Sequence, residues 1–137
     1  MSDLHANKLL VASHFDAIWS GDDDAIRAQL AEGFVDHSAM PGMAMGSDGV
    51  TEGARRMRAV FPDMTVTIDH AVAEGDFVAV NATWRGTQRG TFQGIAPTNR
   101  TIAFTGMVLW RIVDGRLAER WAQLDLASAM RQLQAST

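Results

Sequence analysis

The sequence predicts an α+β domain, with helices first and then a curved, mostly antiparallel sheet that carries those helices on one face. Three observations predict it. Apolar residues recur every three to four positions up to Phe61, the period drops to two from Met64 onward, and strand then follows strand without a crossover helix. With 137 residues, 47% of them hydrophobic, the chain has material for one core, so residues 1–137 read as a single domain.

From Asn7 to Trp19 the positions Leu10, Val11, Phe15, Ile18 and Trp19 form an apolar stripe, which reads as an amphipathic helix ending at Gly21. Asp22, Asp23 and Asp24 then precede Ala25, Ile26 and Leu30; carboxylates there cap amide groups and suit the positive end of a helix dipole. This shorter second helix is expected to close at Gly33. The segment HSAMPGMAMGSDG is loop by composition, and Val50, Ala54, Met57 and Phe61 give a third helical stripe that Pro62 terminates. Met64, Val66, Ile68, His70 and Val72 alternate with polar or small residues, so one face of a first strand is expected to be apolar. Glu74–Asp76 turns into FVAVNATWRG. After a connection bearing Gly86, Gly90, Gly94 and Pro97 comes TIAFTGMVLWRIV, then the hairpin dipeptide Asp114-Gly115, then RLAERWAQLD. LASAMRQLQA closes the chain as a helix.

Composition excludes several functions. A net charge of -4 with both signs interspersed offers no electrostatic footprint for nucleic acid. The absence of cysteine removes disulfides, thiolate nucleophiles and cysteine-ligated metals. No apolar run approaches the roughly 20 residues of a membrane span, and MSDLHANKLL lacks a signal-peptide pattern, so a cytoplasmic protein is expected. The four histidines are scattered without metal-ligand spacing, the Asp22–Asp24 run lacks the other ligands of a calcium loop, and no glycine-rich loop leads from a strand into a helix. No metal and no cofactor are expected.

FVDH ending at His37, the glycine-bearing loop after it, FPD at Phe61–Asp63, WRGTQRGTFQGIAPTNR at Trp84–Arg100 and WRIVDGRLAERWAQLD at Trp110–Asp125 occur in an order and spacing that resemble the SnoaL-like polyketide cyclases of the NTF2-like superfamily. The similarity runs over nearly the whole chain. It implies a cone, a curved sheet wrapped on helices around a deep apolar cavity, and a homodimer formed through the outer sheet face. It also implies that the Gly86–Gly106 connection lies at the cavity mouth. There its glycines either allow close approach to a ligand or only let the strands bend.

On the last strand, period two groups Leu117, Glu119, Trp121, Gln123 and Asp125 on one face. If that face lines the cavity, desolvation beside Trp121 raises a carboxylate towards the range of a general base. Asp125 matches the acid of the family's W-x-x-x-D ending, and the resemblance makes it the base that removes a proton next to a carbonyl; the same residue also fits as N-cap of the terminal helix. Glu119 is the reserve base. Gln88 stands where the family commonly has histidine, so it can position an oxygen but not titrate. His37, which the family turns to the cavity, either polarises a carbonyl or is satisfied by backbone groups.

Further candidates to touch substrate are Glu119, Trp121, Trp84, His14, Trp19, Met43 and Phe61. Each has a plainer reading: core aromatics for the tryptophans, a satisfied core histidine for His14 and for His70, a lid or dimer contact for Met40, Met43 and Met45. Four tryptophans without a tyrosine would suit a flat, apolar ligand bearing a carbonyl. The resemblance thus implies a cofactor-independent enzyme for proton abstraction with aldol-type cyclisation or isomerisation. A non-catalytic binding module and an epoxide hydrolase, which needs an arginine and a second aspartate at the site, are the alternatives.

Overall fold

The computed structural model describes residues 3–135. Helix α1 spans Leu4–Ser20 and α2 spans Asp23–Gln29; Asp3 and Asp22 cap them by accepting from the Ala6 and Ala25 amides. Strand β1 (Leu30–Asp36) follows directly, then α3 (Gly46–Val60), β2 (Thr65–Glu74), β3 (Phe77–Thr87), β4 (Thr101–Val113), β5 (Arg116–Leu124) and α4 (Leu126–Gln134). The strands form one sheet in the order β1-β5-β4-β3-β2, parallel only between β1 and β5.

Strand β1 corrects the expectation that the second helix runs on to Gly33. The helix stops at Gln29, and Leu30 already has extended dihedrals and pairs with Leu117. Gly33, with φ +76, sits within a register shift of the β1–β5 pairing, a left-handed conformation for which glycine is the cheapest residue. The helical-looking spacing of Ile26 and Leu30 arises because both residues are buried, one from α2 and the other from β1.

Helices α1, α2 and α3 cover the inward face of the sheet, and its side chains there are apolar. Val78, Val80, Ala82 and Trp84 from β3 stand beside Ile102, Phe104, Val108, Trp110 and Ile112 from β4, all buried. Burial of each large side chain contributes about 1.5–3 kcal/mol. Phe15 of α1 meets Trp110 and Trp84 edge-on, at ring-centroid distances of 5.3 and 6.0 Å, while Trp84 stacks on Phe104 at 5.6 Å. Rings therefore occupy much of the space beneath α1.

Two bulges decide which side chains face inward. In β2, Ile68 pairs with Ala82 but His70 pairs with Asn81, so Asp69 is an extra residue and the alternation inverts. His70 and Val72, expected on the apolar face, are exposed, and Ala71 and Ala73 turn inward instead. In β5, Ile112 pairs with Leu117 and Arg111 with Glu119, which makes Ala118 the extra residue. Leu117 is fully buried, while Glu119 lies opposite outward-facing Arg111 and Arg120 lies opposite buried Trp110.

Helix α4 closes the stretch of β4 beyond the end of β5. The Gln132 amide donates to the Ala103 carbonyl at 2.7 Å and accepts from the Ala103 amide at 3.0 Å, so one side chain substitutes for a missing strand. Among the described residues, no helix is long and apolar enough to cross a membrane.

Candidate functional site

Several predicted site residues do not meet at one place. Asp125 is exposed and caps α4: its Oδ1 accepts from the Ser128 amide at 3.0 Å. The expected burial beside Trp121 is not met, because the strand ends at Leu124 and Asp125 lies past it, exposed. Glu119 and Trp121 do share a face, but the bulge at Ala118 puts Leu117 on the opposite side and turns the Glu119 face away from the helices.

His37 also lies on this outward side, contrary to the expected cavity position. Its Nε2 is 2.7 Å from Glu119 Oε2, its ring stacks on Trp121, and Arg111 Nε donates to Glu119 Oε1 at 2.6 Å. The His37 and Arg111 hydrogen bonds hold the Glu119 carboxyl below its ordinary range. This group carries the opposite electrostatics to a base with a raised pKa.

Gln88 is fully buried, and its whole side chain is committed to the Gln88–Arg100 connection. The amide nitrogen donates to the Gly90 and Ile95 carbonyls at 3.0 and 2.9 Å, and the amide oxygen accepts from Thr98 N and Oγ1 at 3.0 and 2.8 Å. With both amide hydrogens used, Gln88 orders the loop and has no donor left for a ligand. Asp63 fixes the start of the same connection by accepting from the amide and hydroxyl of Thr87, which lowers its pKa. Phe61 is buried against Phe92 of that loop, at 5.4 Å between centroids. Trp84 is buried in the ring cluster, Trp19 is half-buried against the core, and Met43 lies over Gly53 of α3 with Met40 and Met45 exposed nearby.

The inward face carries a different polar cluster. Arg120 Nη1 donates to both Asp36 oxygens, at 3.1 and 3.0 Å, with the two side chains 24% and 22% exposed and so within reach of solvent. Arg120 stands across the strand pair from Trp110, whose ring meets His14 of α1 edge to face at 6.4 Å. His14 is buried and its Nδ1 lies 2.8 Å from Gln29 Oε1. Burial, with the Arg120 charge acting the same way against the Gln29 hydrogen bond, lowers its pKa from 6.5 to about 4. The ring is neutral at physiological pH.

Of this cluster only His14 was a sequence candidate. Asp36, Arg120, Gln29 and Trp110 are not among the candidates that the sequence singles out. The available signal was period two on both sides of the β1–β5 pair. In FVDH it sets Asp36 opposite His37, and in ERWAQL it groups Arg120 with Ala122 and Leu124.

A scan against family models matches the description SnoaL-like polyketide cyclase over residues 9–133. The chain belongs to the SnoaL-like polyketide cyclase family. No curated protein matches the sequence. Among solved structures, TsrD from Streptomyces laurentii is similar at 26% identity and a TM-score of 0.89, covering 99% of this chain and 100% of that one. Wild-type IdmH from Streptomyces antibioticus, provisionally described as a polyketide cyclase, is 30% identical with a TM-score of 0.81, covering 94% of this chain and 99% of that one. AclR from Streptomyces galilaeus, provisionally described as a hydroxylase, shares the fold at 23% identity and a TM-score of 0.83, covering 96% and 82%. These neighbours bear out the NTF2-like α+β architecture, and family membership supports a polyketide cyclase-like role in this SnoaL-like chain.

Proposed function

We propose that this SnoaL-like protein converts a small, apolar, carbonyl-bearing molecule without a cofactor, at the inward sheet face beneath α1. The reaction class is removal of an acidic proton next to a carbonyl, followed by intramolecular aldol-type closure or isomerisation. The observation that carries this reading is the convergence of Asp36, Arg120, His14 and Trp110 on one part of the inward face. Asp36 takes the proton. Arg120 carries five N–H donors, more than Asp36 occupies, and a preorganised donor is what a developing enolate oxygen requires. Asp125 serves as a helix cap.

The experiment is solvent-deuterium exchange at the carbon next to the carbonyl of 2-tetralone, followed by proton NMR. Acceleration by the wild type that is lost in Asp36→Asn and kept in Asp125→Asn supports the assignment. Loss in Asp125→Asn with retention in Asp36→Asn returns the base to Asp125.

A second reading, a non-catalytic binding module, is favoured by one observation: Asp36 is already neutralised by Arg120. No acceleration of exchange with 2-tetralone bound would support it. An epoxide hydrolase gains an Arg–Asp pair but lacks the second carboxylate, since no inward position of β2, β3, β4 or β5 carries one. For the assembly, the exposed Val72, Phe77 and Met107 on the outward face support a homodimer formed through that face.

A further inference from the structure

Trp110 is 1% exposed, and its indole Nε1 has no hydrogen-bond partner; among the described residues it is the one buried side-chain polar atom in that state. Buried N–H groups are nearly always paired, by protein, water or ligand, so this donor marks a place where an acceptor belongs. Its neighbour has the complementary polarity. Gln29 Oε1 can only accept, so His14 Nδ1 carries the hydrogen and Nε2 is left with a lone pair. Burial and the Arg120 charge keep the ring from taking a second proton at neutral pH. A fixed donor and a fixed acceptor thus stand on two rings whose centroids are 6.4 Å apart.

We propose that Trp110 and His14 select the ligand by hydrogen-bond polarity: the Trp110 Nε1–H donates to a ligand carbonyl oxygen, and His14 Nε2 accepts from a ligand hydroxyl. The preferred ligand is a hydroxy-ketone or the enol of a 1,3-dicarbonyl, and a ketone without the hydroxyl is disfavoured because it leaves the His14 lone pair unanswered. Both residues act as specificity determinants, and the inference rests on the inward-face site argued above. Phe15 of α1, half-buried, stands edge-on to Trp110 with its ring 5.3 Å away. The partly exposed Asp36–Arg120 pair lies on the same inward face.

The test uses 3-hydroxyflavone and flavone, which differ by the one hydroxyl, with the proton–nitrogen spectrum of the tryptophan indoles as readout and Trp110→Phe to assign the resonance. Binding of 3-hydroxyflavone about tenfold or more tighter than flavone, a downfield shift of the Trp110 N–H, and loss of the preference in His14→Phe are the expected results. A second readout needs no variant. The tautomer emission band of 3-hydroxyflavone depends on its internal hydrogen bond and should fade as the protein takes over both partners. Equal affinity for the two flavones, or a Trp110 N–H that stays still while Arg120 resonances move, overturns the polarity pair and leaves the inward-face reading standing. If neither compound moves any inward-face resonance, both are overturned.

Discussion

His37 lies flat against Trp121, the two ring centroids 4.7 Å apart and the planes 8° from parallel, on the sheet face that points away from the helices. Both residues carry the family's pattern in the sequence, and they do meet. They meet outside, where Glu119 and Arg111 complete a surface network and not an enclosed active site.

Glu119→Gln should lower the melting temperature at neutral pH. Because its partners depress the Glu119 pKa below the ordinary 4.5, the stabilisation is present above that value and is lost as pH falls through the lower folded value. Thermal melts of wild type and variant at pH 7 and at pH 3 should therefore differ more at pH 7. A difference that grows in acid would contradict the network.

His14 sets an opposite kind of pH dependence from a surface histidine. Its folded pKa, about 4, lies below the unfolded 6.5, so between these values the unfolded chain binds more protons and stability falls as pH falls. Urea denaturation should give about 2 kcal/mol less stability from this group at pH 5 than at pH 7. His14→Phe should show a flatter profile over that window.

Removing the Gln88 side chain leaves two carbonyls and two Thr98 donors without their buried partner. Gln88→Ala is expected to cost about 3 kcal/mol, read from the urea midpoint, and to expose the 88–100 connection to hydrogen exchange. An unchanged midpoint would mean that the loop does not depend on this amide.

Asp125→Ala should cost about 1 kcal/mol as a lost N-cap, whereas Asp125→Asn should be nearly neutral, since asparagine caps as well as aspartate. Chemical denaturation of the two variants separates a cap from a residue whose charge matters.

Met107 is 56% exposed on the outward face, between β3 and β5. Met107→Glu should convert a dimer to a monomer in sedimentation velocity without changing the circular dichroism spectrum. A wild type that sediments as a monomer at every concentration overturns the dimer.

Periodicity and punctuation in the sequence alone determined most of the architecture. Asp22 capping α2, Pro62 ending α3, Asp114-Gly115 turning β4 into β5 and the terminal helix after Asp125 were all legible, because each rests on contacts within a few residues. Strand β1 was not legible as a strand. Its partner Leu117 is 87 positions away, and the apolar spacing from Ile26 to Leu30 fits one turn of helix equally well.

What only the tertiary structure decided is which face each functional residue presents. Period two predicted correctly that Glu119, Trp121 and Gln123 share a face, and wrongly that Leu117 and Asp125 join them. The extra residues Asp69 in β2 and Ala118 in β5 invert the alternation partway along a strand, and a bulge is a property of the pairing between two strands. That inversion moves Glu119 and Trp121 outside and brings Arg120 inside to meet Asp36 and His14. The chemistry of the inward face is therefore assembled from residues far apart in the chain, by register.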